Sequence, residues 1–412
     1  MSTDNASSIR AFLATTRQQQ TTFLAELVRL PSDNPPGDCA PHAAAAAALL
    51  EAQGLAVERH PVPTDLARAR GMVSVTNLVV RHRFGDGPVI ALNAHGDVVP
   101  PGEGWTQDPY GAAIVGGWMY GRGVAVSKCD FATYAWALLA LRSLPAPLAG
   151  TVELHLTYDE ESGGEIGPAW LLSEAITRPD FVISAGFSYA VVNAHNGCLH
   201  LEVEVRGRSA HAAKPFTGID ALAAATHILA ALYRWRAELA ARVSAIPGIG
   251  AAQLTIGLIA GGINTNVVPD RVVFRLDRRM IPEENPAAVE AELRAVIAEA
   301  ARAVPHTGLA VRRILLAEPL RPVDGSAVLT DALCRHASAM MGETIVPSGV
   351  PLYTDARHYA ARGIPTVLYG AGPRTIEEAN AHRADERLPL NDLAKATEVV
   401  ALTLAELLGA AD

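Results

Sequence analysis

Short apolar strands alternate with helices along most of this sequence, and that order restricts the possible folds. The stretches MVSVTNLVVRHRF and GPVIALNAHGDVV have the apolar runs and β-branched residues of strands. The stretch FATYAWALLALRSL has the apolar spacing of a helix and leads to the strand GTVELHLTYDEE. Alternation of this kind is typical of an α/β fold with a largely parallel sheet. The sequence therefore predicts an α/β main domain.

From Cys198 the pattern changes to a period of two. The stretch CLHLEVEVRG alternates apolar and polar residues, as in a strand with one face in water. Strands and helices then follow in the order βαββαβ, which makes a self-sufficient two-layer unit. We therefore expect residues 198–316 to be an inserted domain, and residues 1–197 and 317–412 to form the mostly parallel-sheet main domain.

Composition excludes several classes of partner. The 34 lysines and arginines are outnumbered by 43 aspartates and glutamates, and the formal charge of −9 is spread along the chain. No basic surface for nucleic acid is predicted, and no apolar run approaches the ~20 residues of a membrane span. The four cysteines are isolated in the sequence, which fits a reducing compartment. We expect a cytoplasmic protein without nucleic-acid or membrane partners.

The stretch ALNAHGDVVP ends a buried strand with His95 and Asp97. Because the two residues are two positions apart, both side chains leave the same face of the strand. They lie at its carboxyl end, which is where open α/β sheets bind ligands. A histidine there can ligate zinc while a nearby carboxylate orients its ring. A purely structural histidine–aspartate hydrogen bond is the alternative.

Two further stretches carry residues of the same chemistry. HLTYDEESGG places Asp159, Glu160 and Glu161 at the end of another strand, where neighbouring glutamates can face a metal and a water respectively. EEANAHRADERLPL carries His382 in a loop before the last helix, as a second imidazole ligand would require. The alternatives are a solvated acidic turn and a surface histidine.

In the order His-x-Asp, Gly-Arg-Gly, Asp-Glu-Glu, Gly-x-x-x-His and Ala-His-x-x-Asp-Glu, these motifs resemble those of a known family. It is the co-catalytic zinc amidohydrolase and exopeptidase family, peptidase M20-like, with carboxypeptidase G, acetylornithine deacetylase, succinyl-diaminopimelate desuccinylase and aminoacylase. The similarity extends from RLPSDNPPGD to DLAKATEVVALTLAELL. It implies that the main domain is catalytic and that the inserted domain is a lid and dimerisation domain.

The resemblance also implies a role for individual residues. His95 would bind one metal, Glu161 and His382 the other, Asp97 would orient a ligand, and Glu160 would be the general base. Further implied roles are stabilisation of the oxyanion in a partner subunit's site by His211 of the lid, and substrate contact by Asn266 and Arg357. For the last two, a turn amide and a surface ion pair are the alternatives.

Two positions depart from the family pattern. Where relatives have an aspartate that bridges both metals this chain has Val126, and where they have a carboxylate ligand of the first metal it has Gly186. We therefore expect at most one divalent transition metal, zinc or manganese, and no dinuclear site.

Two arrangements would still hold that single ion. Asp130, four residues after Val126, could supply a carboxylate from one helical turn away, or His95, Glu161 and His382 could share one ion. Asp130 could equally be a carboxylate at the start of a helix, favoured there by the helix dipole.

Three functions follow from these observations. The first is hydrolysis of an amide-type C–N bond in a small carboxylate-bearing or aromatic molecule, with Glu160 as the base. The second is a metal-independent enzyme of altered chemistry in the same cleft. The third is a binding protein that has lost catalysis. In each case we expect a small-molecule ligand and a homodimer formed through the lid, whose sheet edges are exposed.

Overall fold

The largest sheet of the protein has eight strands. The computed structural model describes residues 3–145 and 147–409. In spatial order the strands are β1 (Val57–Pro61), β2 (Thr76–Arg83), β6 (Thr151–Thr157), β3 (Val89–His95), β7 (Phe181–Ser184), β14 (Thr366–Leu368), β8 (Val191–His195) and β13 (Pro347–Val350). A small antiparallel sheet consists of β15 (Arg387–Pro389), β5 (Trp118–Tyr120) and β4 (Ala113–Val115).

The middle of the large sheet is parallel. β3 runs parallel to β6 and to β7, and β14 runs parallel to β7. Antiparallel pairs flank them, namely β1 with β2, β2 with β6, and β14 with β8. The predicted α/β class is confirmed, and the sheet is mixed. Because β3 and β6 are parallel neighbours, their carboxyl ends come together at one edge, as the sequence predicted for the motifs that follow them.

Helices cover this sheet. Helix α4 (Lys128–Arg142) is buried on nearly all sides because α1 (Thr3–Val28) and α10 (Leu390–Leu407) pack against it. Phe23 of α1 contacts Trp136 of α4, with ring centroids 5.2 Å apart. No helix in the described part of the chain has both the length and the hydropathy of a membrane span. The helices outside the inserted region are α1 (Thr3–Val28), α2 (Ala40–Ala52), α3 (Thr64–Ala69), α4 (Lys128–Arg142), α5 (Pro168–Ser173), α8 (Ser326–Met341), α9 (Ala356–Ala360) and α10 (Leu390–Leu407).

The chain divides into two compact units, and the second contains Ala194–Arg321 and Gly349–Tyr353. The second unit therefore extends past the predicted range 198–316 at both ends. A pair of backbone hydrogen bonds, 3.2 Å each, joins His195 to Leu320 inside it. These two hydrogen bonds connect the residues on either side of the predicted range, which is why both flanks belong to the second unit.

The second unit has the element order expected from the sequence. Its antiparallel sheet has the spatial order β10 (Gln253–Gly261), β11 (Arg271–Met280), β9 (Gly197–Arg206) and β12 (Gly308–Ala317). Buried residues of β9 alternate with part-exposed ones. The buried face packs against two helices, so that one layer of helices covers one face of the sheet. The elements are β9 (Gly197–Arg206), α6 (Ala221–Leu239), β10 (Gln253–Gly261), β11 (Arg271–Met280), α7 (Pro286–Ala301) and β12 (Gly308–Ala317).

Candidate active site

The carboxylate of Asp97 joins the ends of two strands. It is fully buried and accepts hydrogen bonds from the backbone N–H groups of Glu160 and Glu161, each at 3.2 Å. The side-chain amide of Asn34 donates a third at 3.0 Å. Since Asp97 follows β3 and the two glutamates follow β6, these bonds fix the spacing between the loops that carry the predicted residues.

The ring of His95 has a fixed orientation. Its Nδ1 donates to the backbone carbonyl of Asp97 at 2.9 Å and lies 3.4 Å from the Asp97 carboxylate. The other nitrogen, Nε2, lies 3.9 Å from Oε2 of Glu160. When the ring is neutral, its one proton is therefore on Nδ1, and the lone pair of Nε2 is available to bind a metal. The geometry is that of a histidine held ready for ligation.

Three predicted residues converge. The ligand atoms of His95, Glu160 and Glu161 lie within 4.8 Å of one another. The two glutamates begin a single 3₁₀ turn, Glu160–Ser162, that follows β6 and ends at Gly163, where φ is +110°. One imidazole and two carboxylates suit zinc, manganese or iron.

The group carries an excess of negative charge. Burial raises the pKa of Glu160 to about 7, and the charge of Glu161 adds to the shift although His95 opposes it. Burial likewise raises the pKa of Asp159 to about 7 and that of Asp355 well above its usual value. Burial opposes charge on His95, but the surrounding carboxylates outweigh it and raise its pKa well above the usual value. Such a cluster favours a bound cation.

His382 joins the same group from far along the chain. It lies in the loop before β15 with φ of +61°, and its Nε2 is 3.3 Å from Oε1 of Glu161. The hydrogen bond to Glu161 raises the pKa of His382. About half of the His382 side chain is exposed. The structure thus brings together His95, Asp97, Glu160, Glu161 and His382.

The two departures from the family pattern offer no oxygen donor. The side chain of Val126 packs against the apolar core. At Gly186 a Cβ atom would lie 2.8 Å from the backbone nitrogen of Tyr369 and 2.9 Å from Leu368. These contacts are too close for ordinary packing, so a side chain at 186 requires the backbone to move.

Asp130 binds the backbone of a loop. It lies in the first turn of α4, fully buried, and its Oδ1 accepts the N–H of Ala371 at 2.6 Å. A Cβ at Gly370 would overlap the Asp130 carboxylate. Burial raises the pKa of Asp130 to about 7. Asp130 is absent from the group of ligand atoms that lie within 4.8 Å of one another.

Arg357 lies next to the glutamate turn. It belongs to α9, is largely buried, and donates a hydrogen bond to the carbonyl of Gly163. His358 donates to the same carbonyl at 2.9 Å, and the Arg357 guanidinium is 3.8 Å from Glu165. The buried Nε of Arg357 has no hydrogen-bond partner among the described residues.

The second unit by itself places His211 beside Asn266. The backbone N–H of Ala212 donates to the carbonyl of Asn266 at 3.0 Å, and His211 pairs with Val267 in an antiparallel bridge. Both side chains are exposed. Nδ1 of His211 accepts the N–H of Ala213 at 3.0 Å, so the neutral ring carries its proton on Nε2 as an outward donor.

Sequence analysis missed an ion pair that positions two of these segments. Arg122 Nη1 lies 2.6 Å from Glu386 Oε2, and neither side chain has exposed surface. The other oxygen of Glu386 accepts the N–H groups of Ala125 at 3.0 Å and Val126 at 3.2 Å. The pair therefore ties the Gly-Arg-Gly turn to the loop of His382. The signal was available, since Arg122 centres one motif and Glu386 ends another.

Comparison with known proteins finds one family. The model of peptidase family M20/M25/M40 matches residues 91–406 of the chain. The match includes every residue of the converging group described above.

Curated relatives cover most of the chain. The acetylornithine deacetylase of Myxococcus xanthus is 29% identical over 369 residues, which is 88% of this chain and 91% of that protein. The succinyl-diaminopimelate desuccinylase of Methylobacterium sp. strain 4-46 is 30% identical over 387 residues, 89% of this chain and 90% of that protein.

Solved structures share the fold. The YXEP protein of Bacillus subtilis, a dinuclear metal-binding peptidase of the M20 family, superposes with a TM-score of 0.67 and 18% identity. The alignment covers 97% of this chain and 99% of that one.

The buried ion pair gives a stability prediction. Glu386→Gln keeps the shape of the side chain but leaves Arg122 buried without its counterion, so the free energy of unfolding should fall by about 3–5 kcal/mol. Urea denaturation followed by tryptophan fluorescence measures it, because Trp105, Trp118, Trp136 and Trp170 lie in the first unit.

The exposed pair Arg83–Asp86 in the same unit provides the control. Asp86→Asn should leave the unfolding curve unchanged within error. Equal curves for Glu386→Gln and Asp86→Asn would contradict the positioning role of Glu386.

Proposed function

The chain belongs to peptidase family M20/M25/M40, whose members hydrolyse C–N bonds, and on that premise we propose a specific reaction. The protein hydrolyses an amide-type C–N bond in a small carboxylate-bearing or aromatic molecule, with Glu160 as general base and at most one metal ion. The observation that carries the proposal is the convergence of His95, Glu160 and Glu161 within 4.8 Å.

Glu160 has the properties of a base that works near neutral pH. Its pKa of about 7, raised first by burial, lets it accept a proton from water and pass it to a leaving nitrogen. Its backbone N–H donates a hydrogen bond to Asp97, which fixes the position of the Glu160 backbone. The N–H of Glu161 donates to the other oxygen of Asp97, and the Glu161 carboxylate is available as a metal ligand.

The donor set supports one zinc or manganese ion. His95, Glu161 and His382 make a two-histidine, one-carboxylate set, and Asp97 holds the ring of His95 through Nδ1. A metal bound there supplies Lewis acidity and lowers the pKa of bound water.

A dinuclear site does not fit these residues. Val126 and Gly186 offer no donor, and the backbone of Leu368 and Tyr369 fills the space where a side chain at 186 would begin. Oδ1 of Asp130 accepts the N–H of Ala371, and only its Oδ2 has no hydrogen-bond partner among the described residues. These contacts support a count of one ion, even though the YXEP protein of the same family is dinuclear.

Three side chains support the substrate and oxyanion roles. The guanidinium of Arg357, which lies beside the glutamate turn, can bind a substrate carboxylate. Nε2 of His211 can donate to the oxyanion of a partner subunit's site. Asn266, adjacent to His211 in the second unit, can bind the same substrate.

The lid has a surface suited to a second copy of the chain. β10 is an edge strand of the lid sheet, and Leu258, Ile259 and Ile263 on or near it are exposed. An exposed apolar edge strand favours pairing with another strand. A symmetric dimer would bury this surface.

A substrate screen tests the reaction. Acylated amino acids, dipeptides and aryl amides should include a substrate whose turnover depends on added manganese or zinc. Glu160→Gln should reduce kcat by about 10²–10⁴-fold because the proton acceptor is lost, while exposed Glu174→Gln is the control. Turnover that survives exhaustive chelation would support the metal-independent enzyme. Tight ligand binding without turnover, with the same affinity in Glu160→Gln, would support the binding protein.

Elemental analysis tests the metal count. The manganese content of the wild type should exceed that of His95→Gln by no more than one ion per chain. Val126→Asp adds a carboxylate at the bridging position and should strengthen manganese binding, whereas Val126→Ala should not. Two ions per chain that both disappear in His95→Gln would contradict the single-ion site.

Light scattering tests the dimer. The wild type should have twice the mass of one chain, and Ile259→Lys should dissociate it because a charge on the edge strand opposes pairing. Val328→Lys, at an exposed position of α8, is the control. A wild-type protein with the mass of a single chain would contradict the proposed dimer.

A further inference from the structure

A second group of metal-binding side chains lies on the lid sheet, outside the candidate active site. Cys198 and His200 are two residues apart on β9, so their side chains leave the same face. Asp277 on the neighbouring strand β11 is the direct antiparallel partner of His200. The ligand atoms of the three residues lie within 4.8 Å of one another.

His200 lies within ion-pair distance of its neighbour but forms no well-aligned hydrogen bond with it. Its Nε2 lies 3.2 Å from Oδ2 of Asp277, but the two groups are not aligned for a hydrogen bond. The nitrogen is buried and has no hydrogen-bond partner among the described residues. A buried polar atom without a partner is costly, and a cation between the three side chains would supply one. On the other side, Sγ of Cys198 is 3.6 Å from Oδ1 of Asp277.

Arg279 fixes the carboxylate of this group. Its Nε lies 3.0 and 3.2 Å from the two oxygens of Asp277, and its Nη2 lies 3.1 Å from Oδ2. Residues behind a ligand commonly orient it in this way. Oδ1 of Asp277, which accepts from Arg279 and from the Cys198 thiol, regains a lone pair for the ion once that thiol loses its proton. The guanidinium charge opposes a cation, so binding should be weaker than at a structural zinc site with four protein ligands.

We propose that Cys198, His200 and Asp277 bind one zinc-class ion, with a water as fourth ligand. A thiolate, an imidazole and a carboxylate are zinc ligands, whereas calcium and magnesium prefer oxygen alone. Cys198 is fully buried and the other two side chains are about one-third exposed, so the ion has a path from solvent. Binding replaces the thiol proton, which is released to solvent. The site is independent of the proposed hydrolysis.

Titration of the full-length protein with cobalt(II) tests this assignment. A thiolate ligand gives cobalt(II) an intense near-ultraviolet charge-transfer band, which oxygen and nitrogen ligands lack. We expect this band to saturate at one equivalent per chain and to disappear when zinc is added. Its absence from the wild type would overturn the proposal.

Variants assign the band to its ligands. Cys198→Ser should abolish it, and His200→Gln, at a part-exposed position where folding is less at risk, should weaken cobalt binding by about tenfold or more. Two controls should retain the band: Cys334→Ser, which removes a thiol outside the group, and Glu161→Gln, which removes a ligand of the proposed hydrolytic site. A band that persists in folded Cys198→Ser, or unchanged affinity in His200→Gln, would contradict the site.

Discussion

The buried carboxylate of Asp97 is the interaction on which the candidate active site depends. It accepts hydrogen bonds from the backbone of Glu160 and Glu161, while the backbone carbonyl of the same residue holds the ring of His95. One residue therefore sets the position of a histidine on one strand end and two glutamates on the next. A buried carboxylate with three hydrogen bonds is well compensated, so the protein itself stabilises this arrangement.

Charge balance explains much of the remaining site. Burial, and then the charge of neighbouring carboxylates, raises the pKa of Glu160 and Asp355. By contrast, the nearby Glu386 is paired with Arg122 inside the protein. The carboxylates of Glu160 and Asp355 attract a metal ion or a proton. The Arg122–Glu386 pair instead connects two loops. Of Glu160, Asp355 and Glu386, only Glu386 forms an ion pair with a fully buried arginine, although burial raises its pKa as well.

The sheet of the second unit shows how one strand can serve two purposes. Residues of β9 such as Leu199 and Leu201 face the helices and build the core of the second unit. The alternate residues, including Cys198 and His200, face away from that core. Period-two alternation thus gives the core and a polar face from the same stretch of chain, and the register with β11 decides which side chains meet on that face.

The sequence alone determined the α/β class, the inserted two-layer region and the residues that follow β3 and β6. Periodicity and order along the chain carry that information, because strand ends in a parallel sheet share an edge. It also identified Val126 and Gly186 as positions without a donor. The sequence could not decide what Asp130 contacts, since that depends on the Ala371 loop, which is distant along the chain. Nor could it pair Arg122 with Glu386, or His200 with Asp277. Those contacts join segments far apart in the chain, and only the packed backbone sets the distances and directions between them.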